Sequence, residues 1–384
     1  MRASTIKAWY LAHKWTSLVC TLFMLLLCVT GLPLIFAHEI DHLLGRSIEP
    51  PELVNAEGPA DLEAILADAQ ARRPQDVLQF VVRDPEEPEF WFVRLGEKLT
   101  DAEPSAFYFY DARTGEMLHD YPLGEGVMNV ILRLHVDMFA GLPGTLFLGF
   151  MGLLLAVAIV SGAVIYAPYM KKLRFGAIRR GRERLKWLDL HNLTGIVTMV
   201  WLFAVGLTGV INTLAIPIFG QWQMTHLQEM AAPHMGGEPG PTGSAARAVA
   251  AAYEAAPGME LSFMAFPGTS FSTDRHFMAF MQGDTPLSRK LLVPLLIDGN
   301  TGTILERREL PWYVSALLLS QPLHFGDYGG MPLKVLWALL DLLAIAVLWS
   351  GVVLWLKRRN VGFESWVQTM QGEAPAEAPE RRAA

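Results

Sequence analysis

The chain alternates between long apolar runs and longer polar stretches. Residues 18–36, 145–166, 193–216 and 333–356 are almost free of charged side chains. Each has the roughly 20 apolar residues that a helix needs to cross a bilayer. The pattern predicts four transmembrane helices. The stretches between the first and second runs, and between the third and fourth, show the periodicities of soluble domains instead. Leu62, Ile65, Leu66 and Ala69 recur at helical spacing, and residues 244–256 form their counterpart, ended by Pro257-Gly258. Strand-like runs follow each helix, at 77–82, 90–95 and 106–110, then at 260–266, 276–281 and 291–297. Each series closes on one type of turn, Asp111-Ala112-Arg113-Thr114-Gly115 and Asp298-Gly299-Asn300-Thr301-Gly302. Asp opens such turns and Gly supplies the positive φ. The predicted fold is membrane α-helical: four transmembrane helices in two tandem pseudo-repeats, each with an α+β domain between its two helices.

Histidines mark the same duplication. His13 is followed 17 positions later by Thr30-Gly31, and His191 is followed 17 positions later by Thr208-Gly209. His135 is followed 26 positions later by Ser161-Gly162, and His324 by Ser350-Gly351 at the same interval. Each half therefore carries one histidine near the start of each of its apolar segments.

Charge orients the segments. Lys171, Lys172, Arg174, Arg179, Arg180, Arg182, Arg184 and Lys186 lie between the second and third runs, and Lys357, Arg358 and Arg359 follow the fourth. Arg2, Lys7 and Lys14 precede or open the first. By the positive-inside rule these regions are cytoplasmic, with both termini inside and the two long loops outside a bacterial inner membrane. The expected map is a cytoplasmic N-terminus and first span over 1–39, and an outer domain over 40–130. A histidine segment with the second span covers 131–168, a basic loop 169–190 and the third span 191–216. A second outer domain covers 217–312, a histidine segment with the fourth span 313–357, and a cytoplasmic tail 358–384. The first segment reads as a span and not a cleavable signal peptide, because Pro33, His38 and His42 follow it where a small-residue cleavage site would stand.

Composition narrows the chemistry. Of the 384 residues, 52% are hydrophobic and 18% charged, and the net charge of −7 mostly reflects an acidic outer loop. The basic loop is a topology signal, not a nucleic-acid site. Cys20 and Cys28, the two cysteines, both fall in the first run. Eight helical residues hold them about 12 Å apart along the axis, too far for a disulfide. No cysteine spacing for zinc or iron–sulfur exists. Nucleotide, phosphate-loop, zinc-protease and serine-hydrolase motifs are also missing, so any electron donor must be a separate molecule.

The topology sorts the repeated histidines into two layers. His13 and His191 fall at the cytoplasmic boundary, His135 and His324 at the external one. Two neutral imidazoles suit the axial positions of a b-type haem, held between facing helices without covalent attachment. The four histidines are the candidate haem-iron ligands of two haems b. A bare metal site would want clustered carboxylates or cysteines. Gly31, Gly162, Gly195, Gly206, Gly209 and Gly351 would permit close approach of helices or a porphyrin. His38 and His42, four residues apart just beyond the first run, are secondary candidates, either as metal or propionate contacts or as a substitute for His135. Arg133 is a candidate propionate partner. His119, His226, His234 and His276 read as surface residues of the outer loops. Trp9, Trp15, Trp187, Trp337 and Trp355 read as interface anchors. No other catalytic residue set is evident.

Leu11-Ala12-His13-Lys14-Trp15 with Thr30-Gly31, the two Asp-x-x-Thr-Gly turns, and Leu323-His324-Phe325-Gly326 followed by Gly329-Gly330 resemble the PepSY-associated transmembrane family. The resemblance covers about residues 5–360, although Leu134-His135-Val136-Asp137 lacks the Phe-Gly that follows His324. It implies PepSY-like outer domains and a FoxB-type inner-membrane siderophore reductase. Such an enzyme is an oxidoreductase that takes electrons from a quinol or a cytoplasmic reductase and reduces ferric siderophores, hydroxamates in particular, in the periplasm to release iron. The alternative is a non-enzymatic PepSY-type membrane sensor that binds a periplasmic peptide or protein.

Overall fold

The computed structural model describes residues 3–44, 59–85, 87–120, 124, 126–170, 176–179, 183–236, 242–285 and 287–357. The tail expected at 358–384 and residues 171–175 and 180–182 of the basic loop lie outside them. Contacts divide the chain into two units. One comprises residues 1–36, 131–213 and 323–384, the other 37–130 and 214–322.

The first unit is helical. α1 (Ala3–Leu34), α5 (Gly141–Met170), α6 (Glu183–Thr213) and α11 (Gly330–Leu356) are each long and apolar enough to span a membrane. They pack in a ring, α1 on α5, α5 on α6, α6 on α11 and α11 back on α1. The helices outrun the apolar runs that announce them. α1 begins at Ala3, so His13 lies well inside it, and α6 begins at Glu183, so the end of the segment expected as loop over 169–190 is helical. Cys20, Met24, Met151, Leu155, Leu202, Ala344 and Leu348 fill the centre of the ring. Small residues bring α5 and α6 close. A Cβ at Gly152 would meet Val210, and one at Gly206 would meet Leu155.

The second unit is built on a sheet. Its helices are α2 (Ala37–Leu43), α3 (Leu62–Arg72), the first turn of α4 (Val127–Val136), α7 (Ala215–Trp222), α8 (Gln228–Ala231), α9 (Ala245–Ala255) and most of α10 (Trp312–Phe325). A single π-helical turn, Gln223–Leu227, joins α7 to α8. α3 and α9 start where their sequences announce it, because the Asp61 and Ser244 side chains accept from Glu63 and Arg247 N–H groups left open by the first turn. The strands are β1 (Val77–Val82), β2 (Phe90–Gly96), β3 (Ala106–Asp111), β4 (Met117–Asp120), β5 (Glu260–Ala265), β6 (His276–Gln282), β7 (Leu292–Asp298) and β8 (Ile304–Arg307).

The expected pair of separate small sheets is corrected here. All eight strands form one antiparallel sheet in the order β4-β3-β2-β1-β5-β6-β7-β8. The join is β1 on β5, with Val81 opposite Met264. Left apart, each four-stranded sheet would expose an unpaired inner edge, and pairing removes both. α3 and α9 cover one face through Leu62, Ile65, Leu66, Ala69, Ala248 and Ala252. On the other face Trp222, Leu227, Met230 and Val314 pack on Ala265, Met278, Phe280 and Leu296. β6 is therefore buried along its whole length, which explains why His276-Phe277-Met278-Ala279-Phe280-Met281 shows no alternation. The turns after β3 and β7 behave as their sequences demand, with Gly115 at φ +75° and Gly302 at φ +73°.

Candidate functional site

The helical unit gathers the four repeated histidines into two facing pairs. The ring centroids of His13 and His191 are 6.3 Å apart, and those of His135 and His324 are 6.2 Å apart. His13 comes from α1 and His191 from α6, diagonal neighbours in the ring. His135 ends α4 just before α5, and His324 ends α10 just before α11, so the second pair enters from the other diagonal.

Each imidazole is fixed by the Ser/Thr-Gly pair of the other long helix in its own half. His13 Nδ1 lies 2.8 Å from the Ala158 carbonyl oxygen and 3.5 Å from Ser161 Oγ. His191 Nδ1 lies 3.1 Å from the Val347 carbonyl and 3.0 Å from Ser350 Oγ. His324 Nδ1 lies 2.9 Å from the Val205 carbonyl, three residues before Thr208. His135 Nδ1 lies 3.0 Å from Thr30 Oγ1, beside the Leu27 carbonyl. A carbonyl can only accept, so Nδ1 carries the proton and Nε2 keeps its lone pair. This is the usual outer contact that fixes the tautomer of a metal-ligating histidine.

The glycine after each hydroxyl residue makes the approach possible. A Cβ at Gly31 would sit 3.2 Å from His135 Cε1, at Gly162 3.0 Å from His13 Cε1, at Gly209 2.9 Å from His324 Cε1 and at Gly351 3.5 Å from His191 Cε1. Gly206 and Gly195 instead serve helix packing, against Leu155 and Val347. The hydroxyls turn back onto their own helices. Thr30 donates to Leu26 O, Ser161 to Val157 O, Thr208 to Ala204 O and Ser350 to Val347 O. The sequence reveals the spacing of these dipeptides. It does not reveal that each one receives a histidine, nor the carbonyl three residues upstream, because main-chain acceptors leave no residue signature.

The pairs fit bis-imidazole ligation of one iron. A ligand nitrogen stands about 2 Å from its metal and about 1.1 Å from its ring centre, so two imidazoles on opposite sides of one ion set their centroids about 6.2 Å apart. Among the described residues no group of three or more His, Cys, Asp or Glu converges as a metal site. The donor set in each layer is two imidazoles, which suits iron already held equatorially by a porphyrin.

Residues 10–358 match the family of the PepSY-associated TM region. The chain belongs to that family. One relative is an uncharacterized Pseudomonas aeruginosa protein, PA4219, 26% identical over 267 residues, which are 64% of this chain and 67% of the relative.

The other candidates of this PepSY-associated chain fall outside the pairs. His135 itself faces His324, whereas His38 and His42 lie on α2 in the sheet-bearing unit. Arg133 Nη2 stands 3.5 Å from Asp137 Oδ2, one turn along, and its guanidinium lies over Phe139. Lys14 lies over Trp15. His276 corrects the expectation of a surface residue. It is 1% exposed, with Nδ1 2.6 Å from Thr273 Oγ1, and burial holds its imidazole below the ordinary value despite nearby Asp298. His226 contacts Tyr313 and Thr225, His234 lies 4.0 Å from Glu306, and His119 packs against Phe109.

Proposed function

We propose that this protein is a dihaem b reductase of the bacterial inner membrane, carrying electrons across it to reduce ferric siderophores in the periplasm. The observation that supports this most is the two pairs of facing imidazoles, each ring held by its Nδ1 with Nε2 left for a metal. His13 and His191 would hold one haem, His135 and His324 the other. Bound haem b supplies reversible one-electron transfer. The chain's own part is to hold both ligand pairs at fixed separation and to keep the space between them dry with the Cys20, Met24, Met151, Leu202 and Leu348 cluster. On the positive-inside rule both termini and the basic segment are cytoplasmic, which puts the His13 layer on the donor side. The chain would have arisen as two tandem repeats, each contributing one ligand to each haem. Its electron donor would be a quinol or a cytoplasmic reductase, and its substrate a ferric hydroxamate held by the sheet-bearing unit.

The deciding experiment is an absorption spectrum of protein purified from haem-replete cells, oxidised and dithionite-reduced. A reducible Soret band with bis-imidazole α bands, at two haems per chain, is the expected result. A colourless preparation would refute the reading and leave the regulatory alternative.

A further inference from the structure

Of the buried acids Asp137, Asp189 and Asp341 of the helical unit, the first two pair with Arg133 and Arg179, and Asp341 lies within the apolar part of a span. From Trp15 to Leu34 of α1, through all of α5, from Asn192 to Thr213 of α6 and from Val335 to Leu356 of α11, Asp341 is the only Asp, Glu, Lys or Arg. It lies nine residues before Ser350, which touches His191, and eleven after Gly330. That places it about 14 Å along the helix from Ser350 and about 17 Å from Gly330, at the rise of a helix.

Asp341 is 6% exposed, and its Oδ2 has no hydrogen-bond partner. The Cys28 thiol of α1 neighbours the carboxyl. Of the helices packed on α11, α1 presents Cys28 and Cys20 over this stretch, while α6 from Asn192 onward offers no titratable side chain. One turn before Asp341 on the same helix stands Trp337, whose ring meets Trp201 of α6 edge-on at 6.2 Å. Both indole N–H groups are buried without a partner.

A carboxylate at this depth is costly without a positive charge nearby, and those stretches of α1, α5, α6 and α11 carry no Lys or Arg. On the dihaem reading, which this inference rests on, the positive charge is the ferric porphyrin core, one net unit when oxidised and none when reduced. Arrival of an electron cancels that charge and leaves the carboxylate uncompensated. We propose that Asp341 is a proton-binding site of the bundle, taking one proton from water as the neighbouring redox centre takes one electron. The balance closes: a core of charge +1 with a carboxylate, plus one electron and one proton, becomes a neutral core with a carboxylic acid. The electron comes from whatever one-electron reductant is supplied.

The test is a potentiometric titration of the haem-loaded full chain in detergent between pH 6 and 8, for wild type, Asp341→Asn and Cys28→Ser. In wild type one haem transition should fall in potential as pH rises, by at most about 59 mV per pH unit. In Asp341→Asn the same transition should be flat, while Cys28→Ser should keep the slope. Redox-difference infrared spectra of wild type alone provide a readout that needs no variant to fold. Reduction should raise a protonated-carboxyl C=O band that shifts on 13C-aspartate labelling. Haem-loaded wild type with neither a slope nor the band, or a slope unchanged in Asp341→Asn, overturns the role of Asp341 and leaves the haem assignment standing. Absence of haem overturns both.

Discussion

Adding one methyl group at Gly209 and one at Gly351 should have opposite effects. At Gly209 the new Cβ would stand 2.9 Å from His324 Cε1 and 3.3 Å from its Nδ1. Carbon atoms in ordinary contact sit about 3.5–4.0 Å apart, so the ring must retreat by roughly 0.6 Å. It cannot retreat freely, because Nδ1 is tied at 2.9 Å to the Val205 carbonyl on the same helix. Overpacking of this kind costs about 1–3 kcal/mol, and the gain in helix propensity from Gly to Ala, about 1 kcal/mol, offsets part of it. At Gly351 the Cβ would stand 3.5 Å from His191 Cε1, an ordinary contact, so only the propensity gain remains. A net cost of up to about 2 kcal/mol corresponds to an up to roughly 30-fold weaker grip on haem in the His135–His324 layer. The assay is haem per chain by pyridine haemochrome, with low-spin EPR signals counted and thermal unfolding followed in detergent. Gly209→Ala should lose or broaden one of two signals and unfold earlier, and Gly351→Ala should keep both. Equal loss in the two variants, or a Gly209→Ala protein indistinguishable from wild type, would refute the reasoning.

Alanine at His13 and alanine at His191 should each remove the same low-spin signal, and alanine at His135 or His324 the other; if His13→Ala and His191→Ala removed different signals, the pairing would be wrong. His276 sets a pH dependence. Its folded pKa lies below the ordinary 6.5 because it is buried, so the unfolded chain binds a proton first as pH falls. Stability present above pH 6.5 should therefore decline below it, by at most about 1.4 kcal/mol per pH unit, and comparing melting temperatures at pH 7.5 and 5 for wild type and His276→Gln should show a smaller drop in the variant. Gln79 is fully buried, donates to the Lys98 and Asp101 carbonyls and accepts from Arg94 Nε. Gln79→Leu should cost about 1–3 kcal/mol, since it leaves those buried groups unpaired, and denaturant unfolding that matches wild type would contradict this.

The sequence makes much of this fold legible because two periodicities are strong. Four long apolar runs mark four helices, helical spacing marks α3 and α9, and short apolar or alternating runs mark six of the eight strands. β4 and β8 escape because each has only four residues directly after a turn, too short for alternation to register. α7, the π-helical turn and α10 escape for another reason: their apolar residues face a sheet that the sequence does not place. The joined sheet is likewise unreadable, since Val81 and Met264 pair across 183 positions and no local pattern records a partner so distant. At the candidate site the histidines and the Ser/Thr-Gly dipeptides are visible as spacing. What the spacing hides is direction, that His13 reaches Gly162 and His135 reaches Gly31.

That direction decides how the parts depend on one another. Within each half the two long helices exchange histidines: α1 gives His13 to α5, and the segment before α5 gives His135 to α1. α6 and α11 do the same with His191 and His324. Such an exchange orients four imidazoles, but it completes no facing pair, because each pair takes one ring from either half. The sheet follows the same rule. Each half supplies four strands ending in an unpaired inner strand, and only β1 on β5 closes the gap. A half on its own would hold two oriented but unmatched imidazoles and an open sheet edge, and joining the halves resolves both. The same junction creates the interior in which Asp341 of the second half meets Cys28 of the first, so the acid, like the facing imidazole pairs, acquires its surroundings only in the joined chain.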